Sequence, residues 1–166
     1  CMPLRDNGLM SLPPHASSSG PATGAAIDRY AVIGHPIAHS KSPLIHAAFA
    51  QATGQHLEYG AIDGGAETGG FQRAVEAFRA AGGRGMNVTV PFKLEAFAYA
   101  GQLSARAQAA GAVNALKFDG SECQGENFDG VGLVRDIEHN LGVPLRGRRV
   151  LLLGAGGASR GARFPL

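Results

Sequence analysis

The sequence predicts an α/β fold, with a mainly parallel sheet flanked by helices. Three observations lead to this prediction. Short apolar runs alternate with helical patterns along most of the chain, one such run stops at Pro91, and the last one enters a glycine-rich turn directly. With 166 residues, of which 45% are hydrophobic, the chain is long enough to bury one sizeable core.

Composition and charge exclude several classes of partner. The 15 basic side chains nearly balance the 13 acidic ones, so the protein has no strong positive field. We therefore expect that no nucleic acid is a partner. We expect no membrane partner either, because no apolar run approaches the length of a membrane span. The two cysteines, Cys1 and Cys123, exclude a disulfide framework and indicate a reducing, cytoplasmic location.

The order of the elements follows from hydrophobic periodicity and from turn residues. Residues 1–28 are rich in Pro, Ser, Gly and Ala without periodicity, so we expect a disordered leader that is not a signal peptide. The predicted strands are Tyr30–Ile33, Leu57–Ile62, Met86–Val90, Ala112–Phe118, Glu122–Gly125 and Val150–Leu153, and Asp119-Gly120 is the predicted hairpin turn. The predicted helices are Pro43–Ala52, Thr68–Ala81, Phe92–Tyr99, Ser104–Ala110 and Val131–Asn140.

A glycine turn follows the last predicted strand. Gly154, Gly156 and Ser159 form the pattern G-x-G-x-x-S, which lets a backbone approach a pyrophosphate at the start of a helix. The alternative is an ordinary strand-to-helix turn in a protein with 25 glycines. Because Pro165 stands where the helix should continue and the sequence stops at Leu166, we expect the chain to be a fragment.

Two serines precede the first predicted helix. Ser42-Pro43 is a helix-start signature, so Ser42 has the simple interpretation of an N-cap. Ser40 adds a second hydroxyl at the same helix terminus, and together they would make a cradle for a small carboxylate. His35 and His39 are not expected to bind a metal, because Pro36 prevents a shared helix face and no third ligand is evident.

Further polar residues stand near the ends of predicted elements. Asn87 and Thr89 share one face of a predicted strand, and Lys93 lies just beyond its end, where open α/β sheets bind ligands. Asn114 and Asp129 follow later in the chain. Each residue also has a plain interpretation: Lys93 as a surface lysine, Asn114 as a satisfied buried amide and Asp129 as a helix N-cap. Together they indicate a polar set around a cleft.

Five motifs in one order give the sequence a resemblance to the shikimate dehydrogenase family. They are G-x-P-I-x-H-S-x-S-P (Gly34–Pro43), N-V-T-V-P-F-K (Asn87–Lys93), G-A-V-N (Gly111–Asn114), N-F-D-G (Asn127–Gly130) and G-A-G-G-A (Gly154–Ala158). The resemblance implies reversible NADP-linked reduction of 3-dehydroshikimate to shikimate in aromatic amino-acid biosynthesis. It implies a shikimate-binding domain over residues 29–128. Residues 129–166 would be a linking helix and the incomplete start of a Rossmann NADP-binding domain.

The resemblance also implies roles for individual residues. Ser40 and Ser42 would hold the substrate carboxylate, Thr89, Asn114 and Asp129 would bind its hydroxyls, and Lys93 would be the catalytic acid/base beside Asp129. The pyrophosphate loop would be Gly154, Ala155, Gly156, Gly157 and Ala158. The family usually has N-T-D-G, whereas Phe128 stands here in place of that threonine.

Three alternatives stay open at the level of the sequence. A quinate/shikimate dehydrogenase that uses NAD would carry the same motifs. A non-catalytic module would bind a small carboxylate and ignore the nucleotide. A gene remnant would not fold stably. The partner that we expect is the small-molecule substrate, shikimate or 3-dehydroshikimate, and a homodimer stays open as the assembly.

Overall fold

The computed structural model describes residues 27–163, which form a six-stranded mixed sheet flanked by helices. The order of the strands in the sheet is β2-β1-β3-β5-β6-β4. The strands are β1 (Asp28–Gly34), β2 (Leu57–Asp63), β3 (Gly83–Val88), β4 (Gln102–Leu103), β5 (Ala115–Asp119) and β6 (Glu122–Glu126). The α/β class is therefore confirmed, and three of the five strand pairings are parallel.

Six α-helices are present in the described part of the chain. They are α1 (Ser42–Thr53), α2 (Gly70–Ala80), α3 (Lys93–Tyr99), α4 (Ala105–Ala110), α5 (Asp129–Arg135) and α6 (Gly157–Arg163). A π-helical turn over Asp136–Asn140 continues α5. Within residues 27–163 no helix is long and apolar enough to span a bilayer.

The register of the strands gathers several strand ends at one edge of the sheet. β1 runs parallel to β2 and β3, and Ile33 pairs with both Ile62 and Val88. β5 is antiparallel to β3, with Ala115 opposite Asn87, and the last residue of β6 lies opposite Ala115. We call the edge marked by Gly34, Asp63, Val88, Ala115 and Glu126 the carboxyl edge.

The hydrophobic core lies between the sheet and helices α2, α3 and α4. Ile33 and Val75 are fully buried, and the ring of Phe71 lies 5.4 Å from that of Phe92, centroid to centroid. Phe92 directly precedes α3 and is itself buried. The core therefore fixes the start of α3, which is where Lys93 begins the helix.

Several predicted boundaries differ from the observed ones. β3 ends at Val88, so Thr89 lies just beyond the strand. β5 begins at Ala115, which leaves Asn114 in the preceding loop. The hairpin loop is Gly120–Ser121, with a φ of 57° at Gly120, and not Asp119-Gly120. The two-residue strand β4 had no signal in the hydrophobic pattern.

The predicted buried strand over Val150–Leu153 is not formed. All four residues are exposed in the structure, including Leu151 and Leu153 at 82% and 86%. A strand needs a neighbour for its backbone hydrogen bonds, and none of the described strands pairs with this segment. Of the predicted leader, residues 1–26 lie outside the described part of the chain, Ile27 is exposed, and Asp28 belongs to β1.

Candidate functional site at the carboxyl edge of the sheet

The centre of the candidate site is an ion pair between Lys93 and Asp129. The Nζ atom of Lys93 donates to Oδ2 of Asp129 at 2.6 Å, and the two side chains are only 17% and 29% exposed. The backbone oxygen of Lys93 accepts from Val113 N at 2.9 Å, which holds the start of α3 against the loop before β5. Lys93 is therefore not a freely solvated surface lysine.

Asn114 provides the hydrogen-bond donor for the second oxygen of the Asp129 carboxylate. Its Nδ2 atom donates to Oδ1 of Asp129 at 2.7 Å, and its Oδ1 atom accepts from Phe128 N at 2.9 Å. The Asn114 backbone bonds to Val88 and to Glu126, the last residues of two strands. Because both carboxylate oxygens have donors, Asp129 is held in one orientation toward Lys93.

The interpretation of Asp129 as an N-cap is wrong. The N-cap of α5 is Phe128, and Asp129 is the first residue of the helix. An acidic side chain in the first turn still interacts favourably with the helix dipole. Its oxygens, however, bond to Lys93 and Asn114, so the carboxylate belongs to the polar cluster.

The interpretation of Ser42 as an N-cap is also wrong. Helix α1 begins at Ser42, its N-cap is Lys41, and no side chain caps the helix. The hydroxyl oxygen of Ser40 accepts from Ser42 N at 3.3 Å. Ser40 thus supports the backbone at the start of α1, and the hydroxyl of Ser42 has no capping role.

Thr89 lies in the loop that follows β3, beside the loop that follows β1. Thr89 N donates to the Ile33 oxygen at 2.9 Å, and His35 N donates to the Val90 oxygen at 3.0 Å. A Cβ atom at Gly34 would stand 2.6 Å from Cγ2 of Thr89, so a larger residue at this position would have to displace the Thr89 side chain. Within residues 27–163 no hydrogen bond joins Ser40, Ser42 or Thr89 to the Lys93–Asp129 pair.

Three polar residues near this edge, His35, Asp63 and Asn127, were not among the predicted site residues. His35 Nδ1 lies 2.7 Å from Oδ1 of Asp63, and this contact, with a bond from Gly65 N, lowers the pKa of that carboxyl. Asn127 is buried directly before Phe128 and Asp129. The N-x-D spacing could have indicated a structural role for Asn127, since an asparagine side chain often accepts a hydrogen bond from the backbone N–H two residues ahead.

A separate cavity of about 320 Å³ opens on one face of the sheet. It is lined by Tyr30, Tyr59, Asn87 and Lys117 among others, so of the polar residues singled out in the sequence it contains Asn87 but not Lys93 or Asp129. Its edge carries a short chain of contacts, in which the Tyr59 hydroxyl donates to Oδ1 of Asn87 at 2.6 Å. The ring of Tyr59 stacks on His46 at 3.9 Å.

The glycine turn leads into a helix, as predicted. Gly154 has a φ of 108°, which favours glycine, and α6 starts at Gly157. The turn contains no acidic side chain, and a Cβ added at Gly156 would meet no atom within 4 Å. An open, uncharged backbone turn of this kind fits a pyrophosphate.

Comparison with known proteins identifies the family to which the chain is similar. The family model of the shikimate dehydrogenase substrate binding domain matches residues 32–116. A relative from Aromatoleum aromaticum, named shikimate dehydrogenase (NADP(+)), is 64% identical over 140 residues, which cover 84% of this chain and 50% of the relative. The chain spans about half the length of the curated relatives that it matches.

Solved structures show the same likeness. An Ael1 enzyme from Pseudomonas putida superposes with a TM-score of 0.78 at 64% identity, covering 83% of this chain and 50% of that one. A shikimate 5-dehydrogenase from Thermus thermophilus, solved with NADP(H) and shikimate, gives 0.73 at 37% identity, covering 81% and 50%. The family model spans half of the chain, and the chain therefore belongs to the family of the shikimate dehydrogenase substrate binding domain.

Proposed function

We propose that the protein carrying this chain is an NADP-dependent shikimate dehydrogenase, which reversibly reduces 3-dehydroshikimate to shikimate in aromatic amino-acid biosynthesis. The observation that carries the proposal is the Lys93–Asp129–Asn114 cluster at the carboxyl edge, where open α/β sheets bind ligands. Relatives at 54–64% identity carry that name, which supports it.

The mechanism assigns the proton to Lys93. When NADPH is bound, it supplies the hydride that reduces the substrate carbonyl. The developing alkoxide then needs a proton and a nearby positive charge, and the ammonium of Lys93 provides both. Asp129 accepts a hydrogen bond from that ammonium and so orients the Lys93 side chain. In the reverse direction Lys93 takes the proton from the hydroxyl.

The remaining predicted residues bind the substrate and the cofactor. Ser40 and Ser42 would hold the carboxylate, while Thr89, Asn114 and Asp129 would bind the ring hydroxyls. The backbone of Gly154, Ala155, Gly156, Gly157 and Ala158 would hold the pyrophosphate of NADP. The proposal also places the protein in the cytoplasm, with a homodimer as the assembly that light scattering would test.

Calorimetric titration of the chain with shikimate tests the binding half of the proposal. We expect saturable binding, and we expect Lys93→Ala to weaken it at least severalfold because a charged hydrogen-bond donor is lost. Lys117→Ala is the matched control, since Lys117 is an exposed lysine on β5. Equal affinities in the two variants, or no binding by the original chain, would refute the assignment.

Turnover tests the catalytic half. In the protein that carries this chain, Lys93→Ala should lower kcat about 10²–10⁴-fold and raise KM less. Steady-state rates with shikimate and with quinate, each with NADP and NAD, separate the proposed enzyme from a quinate/shikimate dehydrogenase. A near-normal kcat in Lys93→Ala would contradict the proton-transfer role.

A further inference from the structure

Among the described residues, Asn127 is the buried polar residue. The proposed mechanism gives its side chain no role. Asn127 is 3% exposed, and its side chain forms hydrogen bonds in two directions. Nδ2 donates to the Ala112 oxygen at 3.0 Å, and Oδ1 accepts from Asp129 N at 3.1 Å. The carboxamide therefore bridges the loop before β5 and the first residue of α5.

Both ends of this bridge lead to the candidate catalytic pair. Asp129 is one member, and Asn127 holds its backbone directly. Ala112 precedes Val113, whose backbone N donates to the Lys93 oxygen at 2.9 Å. The position of Asn127 thus fixes the relative placement of the two backbones whose side chains meet at 2.6 Å.

Helix α6 packs its glycine face on the same bridge. A Cβ added at Gly161 would stand 2.8 Å from Oδ1 and 3.2 Å from Nδ2 of Asn127. One helical turn earlier, a Cβ at Gly157 would reach Lys93 and Ala112 at 3.6 and 3.7 Å. The helix that follows the glycine turn therefore lies against both Asn127 and Lys93.

We propose that Asn127 is a positioning residue, whose carboxamide sets Asp129 against Lys93 and is kept in place by the close approach of Gly161. The inference rests on the proposed function for its effect on substrate affinity, but its structural part is independent of any ligand. The proposal requires that α6 carry no side chain at residue 161, because a methyl group there would stand 2.8 Å from the carboxamide oxygen and would displace the carboxamide.

Two glycine variants test the contact. Gly161→Ala should speed hydrogen exchange of the Asp129 amide about tenfold, because that amide loses its acceptor, while the amides of the buried strand β1 keep their protection. Gly132→Ala is the control: Gly132 also lies in a helix without a positive φ, and its added Cβ would meet nothing within 4 Å. It should leave exchange of the Asp129 amide unchanged.

An isosteric variant tests the bridge itself. In Asn127→Asp an ionised carboxylate cannot donate to the Ala112 oxygen, whereas the protonated acid can, and burial favours the protonated form. Near pH 8 the folded variant should bind shikimate roughly tenfold more weakly than the original chain, and the ratio should return toward one near pH 5. A merely structural role would lower stability and leave the affinity of the folded protein unchanged at both pH values.

The outcomes separate this inference from the proposed function. If the original chain binds no shikimate, the proposed function fails, and hydrogen exchange still decides the positioning role. Faster exchange at Asp129 in Gly161→Ala alone supports the role. Equal exchange in both glycine variants overturns it, and so does equal shikimate affinity of Asn127→Asp and the original chain near pH 8.

Discussion

At the scale of single residues, the site separates side chains that support the backbone from those that are free to meet a ligand. Ser40 and Ser42 show the difference. The Ser40 hydroxyl accepts a bond from Ser42 N, while helix α1 has no side-chain cap. Two serines that look equivalent in the sequence therefore have different structural surroundings.

This difference gives opposite expectations for the two serine variants. Ser40→Ala should lower Tm by roughly 2–4 °C, because a backbone N–H at the helix start loses its acceptor, and should weaken shikimate binding as well. Ser42→Ala should weaken shikimate binding with Tm unchanged. Thermal unfolding and calorimetry on the same samples measure both. A Tm loss confined to Ser42→Ala would restore the helix-cap interpretation and contradict the proposed carboxylate cradle.

Tyr59 offers a second residue-scale prediction. Burial raises its pKa from 10.0 to about 12, while its hydroxyl donates to Asn87. The folded pKa of Tyr59 lies above the unfolded one, so the un-ionised hydroxyl stabilises the folded state. This contribution to the free energy of unfolding is fully present below pH 10 and is lost as the pH rises from 10 to 12. The ultraviolet titration of the chain minus that of Tyr59→Phe should show a midpoint near pH 12. A midpoint near 10 would mean that the ring is not buried.

At the scale of elements, the junction between β6 and α5 is held from outside by a second ion pair. Glu126 accepts from the Ser104 hydroxyl at 2.6 Å and from Arg106 Nη2 at 2.7 Å. Arg106 in turn lies over the ring of Phe128, 5.2 Å from its centroid. The ring of Phe128, the departure from the family's usual N-T-D-G, therefore packs against Arg106 of α4, while Asp129 bonds to Lys93 and Asn114.

The Glu126 carboxyl makes the stability of this junction depend on pH. Burial raises its pKa, but the bonds from Arg106 and Ser104 outweigh burial and leave the pKa below its ordinary 4.5. A lowered folded pKa stabilises above pH 4.5, and the effect is lost as the pH falls through the folded value. Glu126→Gln should therefore lower Tm by roughly 2–4 °C at neutral pH, with the difference vanishing in acid. Glu122→Gln, on the exposed face of the same strand, should show no such difference, and a loss of equal size at every pH would contradict the linkage.

How far the sequence predicts the elements depends on what determines each one. The strand Asp28–Gly34, whose last four residues are buried, and the amphipathic helix over Gly70–Ala80 have apolar patterns that hydrophobic burial enforces. The two-residue strand at Gln102–Leu103 exists only because β6 lies beside it, so no local pattern reveals it. Val150–Leu153 shows the converse, since an apolar run does not become a strand without a neighbouring strand.

The candidate site was predictable as a set of residues and not as a geometry. The spacing placed Lys93 just beyond a strand end, which the structure confirms, but it also placed Thr89 within the strand, whereas β3 ends at Val88. That Asn114 would orient Asp129, and Asn127 its backbone, depends on the antiparallel register of β5 and β6. Register is a tertiary property, which single-sequence patterns do not specify beyond the hairpin turn.

At the scale of the whole molecule, sheet topology brings distant segments of the chain to one edge. Lys93 and Asp129 are 36 residues apart, and they meet because the β5–β6 hairpin folds back beside β3. The loops after β1 and β3 are joined by hydrogen bonds, which places the serines on the same edge. The site thus depends on the packing of the sheet against α2 and α3, although none of the site residues belongs to that core.

Phe71 is the residue at which this dependence can be tested. It is 1% exposed on α2, and its ring meets Phe92 and Tyr99 at centroid distances of 5.4 and 6.0 Å, which joins α2 to both ends of α3. Phe71→Ala should lower the free energy of unfolding by about 3–5 kcal/mol, because the cavity cannot collapse between a sheet and two helices. Urea denaturation measures the loss. Leu44→Ala, at a position on α1 that is 70% exposed, should change it by less than about 0.5 kcal/mol. Because Phe92 directly precedes Lys93, the folded fraction of Phe71→Ala should also bind shikimate more weakly, whereas Leu44→Ala should not. Unchanged affinity in Phe71→Ala would mean that Asp129 and Asn114 hold Lys93 without help from the core.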